Sequence, residues 1–325
     1  MLKMSRRDLT LTAAGAAAVF GLSKPVSFID TALAQLAPEA GKGVKTFKIG
    51  DVQMTMLYDG SVDRPNAAGF VRNASVDDVK GALKAASLPE GSIPNLFTIP
   101  LARVGGRNVL FDGGTGGQVG PGTGLLGGNL KAAGFEPAAI NIVLVSHFHP
   151  DHIFGLMEKD TNAPTFANAE IVMPEAEYKW WTDAAVFTKL PEPRHGLAKR
   201  IQAVFPGWKD NGRIKLVGDN AEVAPGIRSI SAPGHTPGHT AWHISSGREQ
   251  MIVLADTVTF EPVFLRNPGW QPAFDADGAV AEASRRKLID RAIADKATIA
   301  AYHFTFPAAG VLAKDGAGYA FKPIA

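Results

Sequence analysis

The sequence predicts one mixed α/β domain in which sheets are covered by helices. Apolar runs of strand length recur from residue 46 onward and alternate with segments of helical periodicity. No fixed-period repeat, low-complexity region or interdomain linker interrupts them. The 325 residues are 46% hydrophobic and 20% charged, an ordinary globular composition that is long enough for a sizeable core.

The first half of the chain predicts five strands, because alternating or continuously apolar runs are bounded there by turn residues. These strands cover residues 46–50, 52–57, 96–104, 108–112 and 142–145. A helix is predicted over residues 76–86, where apolar residues recur at helical spacing after the N-cap residue Ser75. A glycine-rich loop at residues 113–128 precedes a short helix that ends at residue 133.

The second half has the same organisation. Its apolar runs predict strands at residues 171–173, 227–230, 250–254 and 297–301. Its helical patterns cover residues 175–187 and 279–295.

The first 34 residues predict a signal peptide. Arg6 and Arg7 precede a weakly apolar stretch at residues 10–22, and Ala32-Leu33-Ala34 is a small-residue cleavage site. The apolar stretch is too short to span a membrane. Since paired arginines are typical of twin-arginine export, we expect a periplasmic or secreted protein, with an ordinary secretory signal or a tail as the alternative. Residues 35–45 are predicted to be a linker and residues 46–325 the folded domain.

Charge and composition exclude several kinds of partner and site. The 33 basic and 31 acidic residues give a net charge of +2, and no basic run follows the N-terminus, so no nucleic-acid partner is predicted. Membrane association is not predicted either. The absence of cysteine excludes disulfides, thiolate metal ligands and a cysteine nucleophile. The GxGxxG pattern at residues 122–127 does not directly follow a strand, so no dinucleotide cofactor is expected.

Imidazole and carboxylate side chains follow four of the predicted strands. His147 and His149 are two residues apart, so in an extended backbone they point to the same side and can share one metal ion. Asp151 and His152 are adjacent and diverge, so they can reach a second ion. Three further side chains lie at or after strand ends: His235, Asp256 and His303.

These segments, in this order, resemble the metallo-β-lactamase superfamily. The matching motifs are H-x-H-x-D-H at residues 147–152, G-H-T-x-G-H at residues 234–239, then Asp256 and His303. The resemblance covers residues 46–323 and implies an αββα sandwich, a single domain with a dinuclear metal site at one edge. It further implies that one zinc is held by His147, His149 and His235, the other by Asp151, His152 and His303, and that Asp256 bridges them.

The ligand chemistry agrees with this resemblance. Nitrogen and oxygen ligands without sulfur suit zinc, with manganese, cobalt or iron as substitutes. Two ions can share a water and lower its pKa, so that a metal-bridging hydroxide attacks an ester. Asp151 would orient the nucleophile or accept its proton, which makes Asp151 and Asp256 the predicted catalytic residues.

The remaining polar candidates are predicted to play lesser parts. His239 is expected to be a structural hydrogen-bonder, His195 to lie in an exposed loop and His243 in a strand. Asp112, at a strand end, is expected to support the histidine loop. For Asp59 a similar supporting part stays open, but a plain turn acid is the favoured interpretation.

Sequence likenesses outside the ligands indicate the substrate class. Residues 59–62, 129–135, 223–227 and 318–323 resemble the secreted methyl parathion hydrolase-like and lactonase-like branch. That resemblance implies a small neutral ester as substrate, either a lactone, an aryl ester or an organophosphate triester, and a homodimer. Val119 stands where methyl parathion hydrolases carry an aromatic residue, which favours lactones or aryl esters.

Such substrates need an apolar pocket beside the metal ions. The aromatic residues proposed for it are Phe148, Trp180, Trp181, Phe187, Phe264, Trp270, Phe304 and Phe306. Two alternatives stay open: a glyoxalase II-type thioesterase, although its dense basic patch is not evident, and a non-hydrolytic metal-binding member of the same fold.

Overall fold

The computed structural model describes residues 36–38 and 41–325. The predicted signal peptide, residues 1–34, lies outside this part of the chain. None of the described helices combines the length and the apolar character that crossing a bilayer requires.

Seven strands form the first sheet in simple chain order. They are β1 (Val44–Ile49), β2 (Val52–Pro65), β3 (Ser92–Val104), β4 (Arg107–Phe111), β5 (Ile142–Leu144), β6 (Glu170–Pro174) and β7 (Ile214–Val217). Strands β1 to β4 pair antiparallel, whereas β4 to β7 pair parallel. The first strand begins at Val44, so the last two residues of the predicted linker belong to it.

Seven further strands form the second sheet. They are β8 (Glu222–Ala224), β9 (Ile227–Ser231), β10 (Thr240–Ser246), β11 (Glu249–Val253), β12 (Thr298–Ala300), β13 (Ala309–Asp315) and β14 (Gly318–Pro323). Only β11 and β12 pair parallel, and the other neighbours are antiparallel.

Helices lie on the outer faces of the two sheets. They are α1 (Val76–Ala85), α2 (Leu126–Ala132), α3 (Pro150–Ile153), α4 (Glu175–Thr182), α5 (Val186–Lys189), α6 (His195–Asp210), α7 (Glu261–Phe264) and α8 (Gly278–Ala294). Ser75 caps α1 as predicted and forms a capping box with Asp78.

Strand β5 illustrates how the layers are held together. Ile142 and Leu144 belong to a core that contains side chains of both sheets, whereas Val143 belongs to a second core with residues of α4 and α6. Successive strand residues point to opposite faces, so a continuously apolar strand is buried on both sides. Helix α8, which packs against strand β13 of the second sheet, contributes Leu288 to the first core. The layers confirm the predicted αββα sandwich in a single domain.

The longest difference from the sequence prediction is helix α6. The sequence pattern predicts no helix here and an exposed loop at His195. Instead, His195 begins this helix and is half-buried, with Nε2 3.1 Å from the carbonyl oxygen of Leu190. Pro206 lies inside the helix and weakens its local signal. Burial of Ile201 and Phe205 against the first sheet stabilises the helix instead.

Two other boundaries differ. The predicted helix at residues 175–187 is two helices, because the backbone leaves the helical conformation at Asp183, whose side chain accepts a hydrogen bond from Ala185 N. Helix α2 begins at Leu126, so the last three residues of the predicted glycine-rich loop are helical.

The interpretation of Asp59 as a turn acid is wrong. Asp59 lies within β2, at an irregularity in its pairing with β3, and is fully buried. Its carboxylate accepts hydrogen bonds from Thr115 N and Oγ1 at 2.6 Å and from Leu126 N at 2.8 Å. It therefore anchors the glycine-rich loop to the first sheet. Burial raises the pKa of Asp59 to about 6, although these donors act to lower it.

We predict that Asp59→Asn changes how stability depends on pH. Because the pKa of Asp59 is raised in the folded protein, its stabilising contribution is present below about pH 4 and is lost as pH rises through about 6. The wild type should therefore lose on the order of 3 kcal/mol relative to Asp59→Asn between pH 4 and 7. Urea denaturation of both proteins across this range measures the difference, and a difference independent of pH would contradict the prediction.

Candidate metal centre

All seven predicted site residues lie in segments that follow strands, and two of them, Asp151 and His152, lie in the short helix α3. Residues 147–152 come after β5, His235 after β9, Asp256 after β11 and His303 after β12. Strands β11 and β12 are parallel. Strand β9 runs in the same direction as β11, because both are antiparallel to β10, which lies between them. The C-terminal ends of strands that run in the same direction lie at the same edge of a sheet, so these loops converge at that edge.

One group of side chains contains His147, His149, His235 and Asp256. Their ligand-type atoms lie within 4.8 Å of one another. His149 Nδ1 is 3.0 Å from His147 Nε2 and 2.9 Å from His235 Nε2. The carboxylate oxygen Oδ2 of Asp256 is 3.2 Å from His235 Nε2.

The second group contains Asp151, His152 and His303. Asp151 Oδ2 is 3.6 Å from His152 Nε2 and 3.5 Å from His303 Nε2. Asp256 also reaches this group, with Oδ1 3.1 Å from His152 Nε2 and Oδ2 3.1 Å from His303 Nε2. Asp256 is therefore the carboxylate that contacts both groups.

In three of the histidines, the outer nitrogen is Nδ1, the ring nitrogen that faces away from the cluster. Its hydrogen-bond partner determines where the lone pair of the ring points. Each Nδ1 lies at hydrogen-bond distance from an oxygen that only accepts: His152 from Asp112 Oδ2 at 2.9 Å, His235 from Asp275 Oδ1 at 2.9 Å, and His303 from the Leu96 carbonyl at 2.8 Å. The proton consequently belongs on Nδ1, and the lone pair on Nε2 points into the group.

Two buried polar atoms without hydrogen-bond partners indicate that the site fits metal ions. His152 Nε2 and Asp256 Oδ1 are 3.1 Å apart, yet neither has a hydrogen-bond partner. Buried polar atoms are rarely left in this state unless something else satisfies them. Converging imidazole nitrogens and carboxylate oxygens are the ligands that divalent transition metals take in proteins. The two groups therefore form a metal-binding cluster with the composition of a dinuclear site.

The electrostatics of the cluster centre on Asp256. Although burial acts to raise it, the interaction with the rings of His303, His152 and His235 holds the pKa of Asp256 well below its usual value. Burial lowers the pKa of His147, and the neighbouring histidine rings lower it further. Asp256 is thus an anion throughout the neutral range, and His147 is neutral, as a metal ligand must be.

Backbone geometry is unusual on either side of this cluster. Asp112 has φ of 66°, and Ala255, which precedes Asp256, has φ of 46°. Such conformations are costly for residues with a Cβ and persist where the surroundings impose them. Asp112 accepts hydrogen bonds from Ser146 N at 2.7 Å and Ser146 Oγ at 2.8 Å, which ties it to the histidine loop.

His239 lies outside both groups and fixes the position of Asp256 through a hydrogen bond to its backbone. Its Nδ1 is 3.0 Å from the Ala232 carbonyl, and its Nε2 accepts a hydrogen bond from Asp256 N at 3.1 Å. Burial lowers the pKa of His239 to about 3, and nearby His235 contributes to this. A neutral ring with its proton on Nδ1 satisfies both contacts.

Glu177 connects two ligand loops, and sequence reasoning missed it. Its carboxylate accepts four hydrogen bonds: from Phe148 N (3.0 Å), Trp181 Nε1 (2.7 Å), Thr236 Oγ1 (2.8 Å) and Gly238 N (2.9 Å). No local signal reveals this, since an acid in the first turn of a helix ordinarily faces solvent.

The glycines of the second motif follow from the same packing. A Cβ atom on Gly238 would lie 2.1 Å from Glu177 N, and one on Gly234 would lie 2.1 Å from Ala281 N. These positions press the loop against α4 and α8, where only glycine fits.

Asp275 and Arg285 form a second support that sequence reasoning missed. Asp275 Oδ1 lies 2.9 Å from His235 Nδ1, and Arg285 Nη2 donates to Asp275 Oδ2 at 3.1 Å. Arg285 also donates to the Thr257 carbonyl at 3.0 Å, and so connects the loops of His235 and Asp256.

A pocket opens directly onto the cluster, with His149, Asp151, His235, Asp256 and His303 in its wall. Its apolar lining includes Phe70, Ile93, Phe260, Phe264 and Phe274. Of the aromatic residues proposed for it, Phe264 lines it, whereas Trp180 and Trp181 line a neighbouring pocket.

The other proposed aromatics lie elsewhere. Phe148 packs in the core against Phe205, with ring centroids 5.1 Å apart. Val119 is buried in the same core and is not among the residues that line this pocket.

Comparisons with known proteins agree with this geometry. Residues 101–303 match the model of the metallo-beta-lactamase superfamily, a range that contains every residue of the cluster. An N-acyl homoserine lactonase from Bacillus sp. is 25% identical over 160 residues, which are 49% of this chain and 55% of the relative. The chain thus spans about half the length of the curated relatives it matches.

Two solved structures are similar over nearly their whole length. One is AidC, a dizinc quorum-quenching lactonase in complex with a product, with 28% identity and a TM-score of 0.81, covering 87% of this chain and 98% of that one. The other is the hydrolase AbOPH of the beta-lactamase superfamily, with 26% identity, a TM-score of 0.80 and the same coverage.

We predict that Asp256→Ala lowers the metal content. Because its carboxylate contacts both groups, its removal should leave at most one equivalent of metal per chain where the wild type retains two. Inductively coupled plasma mass spectrometry after gel filtration measures the content. Asp160→Ala, which changes an exposed turn residue, is the control. Two equivalents in Asp256→Ala would show that Asp256 does not bridge.

We predict that Glu177→Gln weakens metal binding by roughly 10- to 100-fold, although Glu177 contacts no ligand side chain. An amide presents N–H groups where an acceptor oxygen was, so at least one of the four donors loses its partner and both loops loosen. Competition with a chromogenic chelator measures the affinity. Glu175→Gln, on the same helix but half-exposed and paired with Lys179, is the matched control. Equal affinity in the two variants would refute the role of Glu177.

Proposed function

This chain belongs to the metallo-beta-lactamase superfamily, and we propose that it is a dinuclear zinc hydrolase that opens lactone rings. The observation that carries the proposal is the pair of His/Asp groups that share Asp256 at the wall of an apolar pocket. Similarity to a dizinc lactonase over 98% of that protein's length supports it.

The proposal assigns one ion to His147, His149 and His235 and the other to Asp151, His152 and His303, with Asp256 between them. Two bound divalent ions would supply Lewis acidity toward the ester carbonyl and would acidify a water molecule. The chain's own contribution is to fix the ligands: the acceptors on each outer nitrogen hold the rings in one tautomer and one orientation.

Asp151 is the residue proposed to move the proton. Its Oδ2 faces His152 and His303, and the residue also lines the pocket, so its second carboxylate oxygen is the candidate acceptor. Hydrolysis consumes one water: its oxygen bonds to the acyl carbon, the ring C–O bond breaks, and the proton taken by Asp151 goes to the alkoxide that leaves. Tyr302 holds the Asp151 backbone, donating to its carbonyl at 2.7 Å, and stacks on His152.

The pocket supports a neutral, partly apolar substrate. Phe70, Phe260 and Phe264 offer apolar surface next to the cluster, which suits a lactone ring and an acyl chain. The curated relatives that the chain resembles are N-acyl homoserine lactonases. Aryl esters fit the same surface and are proposed as secondary substrates.

A substrate panel on the metal-loaded protein tests the proposal. It comprises N-hexanoyl homoserine lactone, a γ-lactone, dihydrocoumarin, a p-nitrophenyl ester, methyl paraoxon and a glutathione thioester. We expect kcat/KM to be highest for lactones, and chelation to remove at least about 100-fold of the activity, with recovery on adding zinc, cobalt or manganese.

Other outcomes would overturn it in distinguishable ways. A preference for the thioester would indicate the glyoxalase II-type alternative, and a preference for methyl paraoxon a phosphotriesterase. Retention of two metals without hydrolysis of any panel member would indicate the non-hydrolytic alternative, and activity indifferent to chelation would reject the metal chemistry.

A further inference from the structure

Three arginines from distant parts of the sequence meet around the candidate active site. Arg64 lies in β2, Arg72 in the loop that follows it, and Arg194 immediately before α6. Arg64 and Arg194 line the pocket that opens onto the metal cluster, and Arg64 stands 4.6 Å from the ring centroid of Phe274. Arg72 and Arg194 line the neighbouring pocket together with Lys189.

Arg194 lines both pockets, together with the candidate ligands His149 and His235. Its guanidinium is therefore next to the place where the reaction occurs. Burial lowers the pKa of Arg194, and the positive charge of Arg72 lowers it further. The charge of Arg194 acts in turn on the pKa values of His149 and Arg64. The cationic groups are thus close enough to repel one another.

Within the described residues, no ion pair or side-chain hydrogen bond joins Arg194 to another residue. Arg72 donates to the carbonyl oxygen of Ala273 at 2.8 Å, and that carbonyl cannot neutralise its charge. The acids that line the two pockets have other partners: Asp151 and Asp256 face the histidines, and Asp275 pairs with His235 and Arg285. A half-buried guanidinium held beside like charges is unfavourable unless an anion binds there.

We propose that Arg194 binds an anionic group, a carboxylate, on the non-reacting part of the substrate. The inference rests on the proposed function and narrows its substrate class to lactones and esters that carry such a group. A guanidinium pairs with a carboxylate through two parallel hydrogen bonds. The phenylalanines that line the pocket offer the acyl portion apolar surroundings, while Arg194 holds the charged end.

Two esters with the same leaving group isolate the charge. They are p-nitrophenyl hexanoate, which is neutral, and p-nitrophenyl hydrogen adipate, whose acyl chain ends in a carboxylate too distant to cleave its own ester readily. On the metal-loaded enzyme we expect a higher kcat/KM for the adipate ester. The ratio of anionic to neutral kcat/KM should fall about 10- to 100-fold in Arg194→Gln and should also fall as ionic strength rises.

Two further variants complete the design. Lys199→Gln removes an exposed cation from helix α6, which follows Arg194 directly, and should leave the ratio unchanged. Arg194→Lys keeps the charge but loses the planar fork, so its ratio should be intermediate, and it serves if Arg194→Gln fails to fold. A ratio in Arg194→Gln or Arg194→Lys equal to that of the wild type would overturn the proposal.

A binding measurement separates this inference from the proposed function. N-butyl succinamate and N-butyl butanamide are the anionic and neutral amides of the same shape, and neither is an ester. By calorimetry, the metal-loaded wild type should bind the succinamate at least about 10-fold more tightly, and Arg194→Gln should lose this preference. Loss of the preference without any ester hydrolysis would retain the anion site and reject the hydrolase. A preference that survives in Arg194→Gln would mean that the metal ions bind the carboxylate, and would reject the role of Arg194.

Discussion

The hydrogen bonds on the outer nitrogens of His152, His235 and His303 determine how the rest of the centre is organised. Each of these bonds leads to an oxygen that only accepts, so each ring turns its remaining lone pair inward. Lone pairs facing one another are unfavourable without a cation between them. Asp256, whose backbone N–H donates to His239 Nε2, lies between the two groups that contain these rings. The site is in this sense prepared by its surroundings before any ion binds.

Buried carboxylates hold the loops that carry these rings. Asp112 accepts a hydrogen bond from the histidine loop, and Asp59 accepts one from the glycine-rich loop. Glu177 accepts hydrogen bonds from both the histidine loop and the loop of His235. Burial nevertheless raises the pKa of Asp59 and of Glu177, so the donors only partly offset the loss of water. The fold thus gives up stability at these points in exchange for loops held in one geometry.

The pocket combines two kinds of surface that serve different ends of a ligand. Its phenylalanines bury apolar area, which contributes to binding without selecting for charge. Arg194 and its cationic neighbours create a positive potential beside the cluster, which attracts anions and disfavours cations. A substrate recognised at both ends is fixed relative to the cluster, and fixed orientation is a large part of what an active site contributes to rate.

Local spacing was enough to predict most of the strands, a mixed α/β domain and candidate metal ligands at strand ends, because the geometry of an extended strand and the position of its end are encoded in neighbouring residues. The αββα sandwich and the division of the ligands between two ions were implied by the resemblance of the motifs to the metallo-β-lactamase superfamily. Helix α6 was missed because its stability comes from burial against the first sheet rather than from its own residues. Glu177 was missed because the hydroxyl it accepts from, on Thr236, is 59 residues away, and Arg194 because its neighbours come from other loops. The sequence by itself determined the metal-binding motifs and the sheets that carry them. The tertiary structure alone decided which buried acids support the ligands and which charges surround the substrate, since these depend on how distant segments pack.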